Sequence, residues 1–514
     1  MDASDPSRAE CLPETRTALI DSIAEWAFDP NTHTKVLWLH GLAGSGKSTL
    51  STTIANLFRV MGSLGAFLFF DRAMAERRDP STVIRTLAHQ LSSLHPRVGL
   101  AIAKSDTFAG LPDFAPPLRT QFEDFFVNAL SPRGVMDPDA KIVLVLDALD
   151  ECDMTSRGHL LEVLAKESAH IPSNLRLVIT SRAHADIRHA FMAHPHILAQ
   201  ELDITSELCS DDILTYFRHH MNLIREKTPS LEHTEWPGED QIQQLTHRAC
   251  GLFIWASTAY EFIRDTHDPR KRLNLVLQGS QKEEAEAALN KLYQIALEET
   301  GRWDDTDFVE DFQAIIGMVL VLRNPLSSAA IDSFGGIPDG RSANDILRPL
   351  NCLVSSDPTV RIIHPSFADF LMDRQRCGRD IWLVNKSFHN RILAHLCLHH
   401  LDQKLKRNLC NLTLFVEMED EIPDEDVAYA CLFWVDHVCD VNEDVLSIMQ
   451  QLDTFFRRHL LHWFEVMSIM RKSRHTIRLL RDLSAWIMVG RTSSFLFCLS
   501  KLSIGSVSRP DQFA

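Results

Sequence analysis

The sequence predicts an α/β domain with a doubly wound parallel sheet, followed by α-helical regions. Two observations carry that expectation. Short, largely apolar runs at residues 36–39, 66–70, 141–146 and 175–179 alternate with stretches of helical character, the pattern of strands buried on both faces. Residues 197–202 are a candidate fifth strand. Further along the chain, the apolar residues recur at helical spacing instead, as in residues 392–398, 429–438, 460–467 and 476–480.

Each early run leads into residues of chemical interest. The run at 36–39 ends in Gly41-Leu42-Ala43-Gly44-Ser45-Gly46-Lys47-Ser48, which fits G-x-x-x-x-G-K-[ST], and residues 49–58 then read as a helix. Glycines let such a loop curl until its N–H groups face phosphate oxygens, and the helix N-terminus adds partial positive charge there. Gly41, Gly44, Ser45, Gly46 and Thr49 are expected to cradle phosphate. Lys47 would reach the β- and γ-phosphates, and the Ser48 hydroxyl would ligate Mg²⁺.

The run at 141–146 ends in Asp147-Ala148-Leu149-Asp150-Glu151. Asp147, at the strand's carboxyl end, would hold the Mg²⁺ shell. Asp150 and Glu151 are candidates to orient or deprotonate an attacking water. An acidic turn after a core strand is the plainer alternative, and Lys47 upstream favours the functional one. Arg182 follows the run at 175–179, where open α/β sheets bind ligands. It is either a γ-phosphate contact or a solvated loop arginine.

Bulk properties exclude several classes. The length of 514 residues suits about three or four domains. A net charge of -17 argues against a general nucleic-acid or anionic-membrane partner, leaving a local basic patch open. The eleven cysteines have no C-x-x-C pair, which suggests reduced thiols and a cytoplasmic location. The adjacent His219-His220 and His399-His400 diverge on a helix, so both pairs read as solvated or core histidines. Residues 1–14 are polar and acidic, so no signal peptide is expected. No window supplies about 20 uncharged apolar residues, so no membrane span is expected.

With those residues in hand, the chain resembles a NACHT-type P-loop NTPase of the STAND class. It is similar in particular to the NACHT group of filamentous fungi with nephrocystin-3-like N-terminal domains. Cys11-Leu12-Pro13-Glu14-Thr15-Arg16 with Trp26 resembles that group's lead-in helix. Trp38 to Ser48 resembles its phosphate loop, residues 146–152 its Walker B segment, and residues 179–182 its first sensor. Ala148 stands where glycine is usual, and a small residue there is expected to matter little. Residues 249–256 resemble a segment that packs near the nucleotide base, or simply begin a core helix. Residues 360–371 resemble the end of a winged-helix domain, which makes His364 the histidine that would hold the ADP β-phosphate. A capping or core histidine is the alternative.

The resemblance implies a fold order: a lead-in helix (1–29), an α/β P-loop NTPase domain (30–205), a helical domain (206–300) and a winged-helix-like domain (301–380). An α-helical arm (381–489) and a Ser-rich tail (490–514), a candidate for disorder, follow. It also implies ATP and ADP as ligands with Mg²⁺, an ADP-locked resting state, slow hydrolysis, and self-association or pairing with related NACHT proteins. No element specific to adenine or guanine stands out. WD and ankyrin signatures are absent, so the chain is expected to be a switch module with its ligand reader and output device reduced. Two rivals remain at this point: an AAA+-like remodelling ATPase, and a degenerate scaffold that no longer binds nucleotide.

Overall fold

The computed structural model describes residues 8–104, 116–131, 141–278, 284–335, 341–410 and 423–504, with side chains in the last helix as far as Met488. The chain divides into two compact units, Met1–Glu299 with Ile363–Phe367, and Thr300–Ile362 with Ala368–Ala514.

The first unit is built on five parallel strands: β1 (Val36–His40), β2 (Leu64–Phe69), β3 (Ile142–Asp147), β4 (Leu175–Ser181) and β5 (Ile197–Glu201). Their order is β2-β3-β4-β1-β5. Register is set by parallel pairing of Trp38 with Ile179 and of Leu144 with Leu177. The central strands β1, β3 and β4 are buried along their whole length, which explains why they read as unbroken apolar runs.

Two helices cover one face, α1 (Thr17–Phe28) and α2 (Lys47–Val60). Leu50, Ile54 and Phe58 of α2, together with Ile23 and Ala27 of α1, pack against Leu37, Leu39, Val143 and Val178. The spacing 50, 54, 58 puts one stripe of α2 on the sheet. Each such buried Leu, Ile or Phe contributes about 1.5–3 kcal/mol of transfer free energy. On the other face lie helices Val83–Leu94, Arg157–Lys166 and Ala185–Phe191. Trp38 anchors that side, fully buried, with Phe191 at 5.4 Å and its indole N–H donated to Ser181 Oγ at 2.8 Å.

Arg157 is fully buried and joins this layer to the functional end of the sheet. Its guanidinium holds Asp186 through two hydrogen bonds of 2.7 and 2.9 Å and donates to the Asp150 carbonyl at 3.0 Å. The turn after β3 is thereby fastened from below. Helices Glu207–Lys227, Glu239–Arg248, Phe253–Arg264 and Pro269–Leu277 complete this unit with most of Ala285–Thr300.

The second unit is mainly helical, with one antiparallel pair, Val354–Ser355 and Arg361–Ile362. Helices Lys386–Lys404 and Glu425–Cys439 pack together. Trp434 and Trp463 are core residues whose rings meet at 5.5 Å, and the Trp463 indole N–H donates to the Cys431 carbonyl. His219 and His399 are exposed, whereas His220 is half-buried and His400 buried, so each adjacent pair splits between solvent and packing. Glu425 and Asp426 open the helix Glu425–Cys439. The last helix, Ser473–Ile504, runs past Gly490 into the Ser-rich tail.

Candidate functional site

The phosphate loop, Gly41 to Ser48, joins β1 to α2. Gly44 and Gly46 have φ of +80° and +88°, a region that L side chains rarely adopt. Gly44 is constrained a second way. A Cβ there would lie 1.9 Å from Ile254 Cγ2. The Ile254 amide donates to the Gly44 carbonyl at 3.1 Å. Residues 249–256 therefore begin the helix Phe253–Arg264 and press its first turn onto the loop. Gly251, at φ +78°, permits this, since a Cβ would meet the Ile204 carbonyl oxygen at 1.9 Å.

Arg16 braces the loop from the lead-in side. It donates to the Ser45 carbonyl at 3.1 Å, its guanidinium lies 5.0 Å from the Phe253 ring, and its backbone N–H donates to Asp212. Ser45 is buried, and its hydroxyl has no hydrogen-bond partner among the described residues.

A cavity of about 260 Å³ opens beside the loop. It is lined by Lys47, Ser48 and Thr49 of the loop and α2, by Ala148, Asp150 and Glu151 after β3, and by Arg182 after β4. His364 and Ile254 complete the wall. The structure thus gathers most of the residues singled out in the sequence. Gly41, Ser45 and Asp147 lie behind the lining.

Within the cavity each charge has a local partner. Lys47 Nζ donates to the Gly41 and Leu42 carbonyls at 2.9 and 2.7 Å. Burial lowers its ammonium pKa to about 8, against the opposing pull of Asp150. Arg182 pairs with Asp150: its Nε lies 3.2 Å from Oδ2, and its backbone N–H donates to Oδ1 at 2.9 Å. It is not a solvated loop arginine. Burial raises the Glu151 carboxyl to about 7, with Arg72 opposing the rise. A carboxyl poised near neutrality is suited to exchange a proton with water. His364 Nδ1 accepts the Ser366 backbone N–H at 3.1 Å, which places the hydrogen of the neutral ring on Nε2. The Ser366 hydroxyl is held in turn by Tyr293 at 2.7 Å.

Asp147 is fully buried at the end of β3. Burial alone would raise its pKa. The Arg8 guanidinium and the Thr180 hydroxyl, which bond its two oxygens, outweigh that and hold it below the ordinary value. Thr180 Oγ1 also accepts the Ala148 amide at 3.0 Å. The Asp147 carboxylate and the Ser48 hydroxyl on the first turn of α2 are hard oxygen donors of the kind that suits Mg²⁺. That ion usually takes one or two protein oxygens and fills its shell with phosphate and water.

Two functional positions escaped the sequence reading. Arg72 lies just past the carboxyl end of β2. Its backbone N–H donates to Glu151 Oε2 at 3.3 Å and its guanidinium to the Pro365 carbonyl. The rule that singled out Arg182, an arginine just past a parallel strand, would have found it. Arg8 carried no such signal. Ala148, which stands where glycine is usual, has φ +58° and so sits in left-handed backbone.

The parallel sheet, the phosphate loop and the acidic turn after β3 are the arrangement of a P-loop NTPase domain. Residues 15–182 match the family model described as Nephrocystin 3, N-terminal. The chain is 23% identical over 491 residues to the vegetative incompatibility protein HET-E-1 of Podospora anserina, covering 89% of this chain and 35% of that protein. Among solved structures it is similar to a STAND protein with a tetratricopeptide repeat sensor from Pyrococcus horikoshii, at 12% identity and a TM-score of 0.44, covering 93% of this chain and 54% of that one. It is also similar to Cdc6p from Pyrobaculum aerophilum, at 13% identity and a TM-score of 0.31, over 70% of this chain and 93% of that one. The chain therefore spans about a third of the curated relative and half of the Pyrococcus protein. Among the described residues no helix is long and apolar enough to cross a membrane.

Left-handed backbone costs a non-glycine residue about 1–2 kcal/mol, and glycine returns about 0.4–1 kcal/mol of that through the unfolded chain. Ala148→Gly should therefore stabilise the protein by about 0.5–1 kcal/mol, read as a higher urea midpoint. A lower midpoint would show that residue 148 is not strained.

Proposed function

We propose that this chain is a nucleotide-operated signalling switch. It holds ADP at rest, hydrolyses ATP slowly, and self-associates or pairs with related NACHT proteins when ATP replaces ADP. One observation carries the reading: a single cavity is lined by Lys47, Asp150, Glu151, Arg182 and His364.

The roles follow from the contacts. Incoming phosphate would take Lys47 from the Gly41 and Leu42 carbonyls. The Nε2–H of His364 would donate to the β-phosphate of ADP and favour the closed, resting arrangement. Arg182, exchanged from Asp150, would meet the γ-phosphate and report its loss. Glu151 would orient or deprotonate the attacking water. Ser48 and Asp147 would hold Mg²⁺, which when bound neutralises charge on the β- and γ-phosphate oxygens. The function is a shift of populations, so turnover well below about 1 s⁻¹, the low end for phosphoryl-transfer enzymes, is expected. The name of the Podospora relative supports self/non-self discrimination as the biological setting, and the family supports a cytoplasmic location.

Freshly purified protein, denatured and chromatographed, should release close to one equivalent of ADP. An empty site with rapid ATP turnover would replace the switch with a working ATPase. His364→Ala should speed ADP release by about tenfold, the loss of one good hydrogen bond to a charged group. An unchanged off-rate would remove His364 from the site. Lys47→Ala should abolish nucleotide binding and leave thermal unfolding of the helical second unit in place. Wild-type affinity in that variant would overturn the phosphate-loop assignment.

A further inference from the structure

The Arg8 contact with Asp147 is left unused by the roles above. Asp147 has no exposed surface, and both of its oxygens are committed, one to the Thr180 hydroxyl and one to the Arg8 guanidinium. Arg8 reaches it from the lead-in segment, which lies along α2. The Cys11 amide donates to Thr53 Oγ1 at 2.8 Å, and Glu10 Oε1 accepts from Asn56 at 2.7 Å. The guanidinium stacks 4.1 Å from the Phe69 ring centre at the end of β2, and its side chain is 17% exposed. Its second terminal nitrogen, Nη1, is buried with no hydrogen-bond partner among the described residues. The contact is therefore strong in charge and incomplete in hydrogen bonding, a combination suited to exchange rather than to permanent structure.

We infer that Arg8 is an internal counter-cation that competes with the metal ion for Asp147. The lead-in segment and Mg²⁺ are then alternative partners of one carboxylate. The physical reason is charge. The buried Asp147 carboxylate is already bonded by the Arg8 guanidinium, with the Lys47 ammonium also within electrostatic reach. A divalent ion added beside the guanidinium would face a like charge in a poorly screened site, so its arrival favours departure of Arg8. Metal and nucleotide binding would thereby loosen residues 8–11 from α2, and the docked segment would lower the site's apparent affinity for metal. This rests on the nucleotide and Mg²⁺ reading proposed above.

The test uses the full chain with fluorescent ADP and with Mn²⁺ as the metal probe, followed by electron paramagnetic resonance. Arg8→Met keeps the apolar stem on Phe69 and removes the charge. If the docked state holds about nine-tenths of the molecules, apparent affinity is reduced by the fraction that is free, and the variant should half-saturate at about tenfold lower Mn²⁺. Arg8→Lys should fall between the two. Hydrogen exchange gives a readout independent of metal affinity. The Cys11 amide should exchange faster when ADP and Mn²⁺ are added to the wild type, and faster without ligand in Asp147→Asn. Unchanged or weaker Mn²⁺ binding in Arg8→Met, with ADP still bound, overturns this inference alone. So does a Cys11 amide indifferent to both perturbations. Failure of the wild type to bind ADP at all overturns the site reading and the inference together.

Discussion

A carboxylate with no access to water must have a cation and donors beside it, because burial otherwise forces it to take up a proton. Asp147 is that carboxylate, and much of the first unit is arranged around it. β3 delivers it to the end of the sheet, and β4 supplies Thr180, whose hydroxyl bonds both Asp147 and the amide of Ala148. That double contact bends the chain out of β3 through the left-handed conformation of Ala148 and into the turn bearing Asp150 and Glu151. Arg157 then fastens the turn from the helical layer through the Asp150 carbonyl. The acidic turn is positioned by these contacts and not by its own propensity.

The phosphate loop depends on a second set of close approaches. Its curvature requires left-handed glycines, and Gly44 also makes room for the first turn of the helix Phe253–Arg264. Arg16 links the loop, Phe253 and Asp212 through its side chain and backbone. Lead-in segment, loop and helix are thus joined by short contacts to backbone atoms, and a displacement of one is felt by the others.

Much of this was legible in the chain. Fully buried strands leave continuous apolar runs, and the phosphate loop has fixed spacing because its backbone geometry admits few solutions. Lys47, Asp150, Glu151, Arg182 and His364, each marked in the sequence by a motif or by its place after an apolar run, line one cavity. What was not legible depends on partners far apart in sequence. Arg8 lies 139 residues from Asp147, and nothing in its neighbours marks it. Arg72 needed the end of β2 to be located first. Strand order has no local signature, so β5 could not be placed next to β1 from composition. The left-handed backbone at Ala148 leaves no mark in the size of the side chain.

Lys47 carries a consequence of another kind. Its ammonium is held by two carbonyls of its own loop, at 2.9 and 2.7 Å. Those two bonds tie the first turn of α2 back to the end of β1, so the lysine doubles as an internal clasp of the loop's curvature. A substitution that shortens this side chain removes a backbone brace as well as a charge.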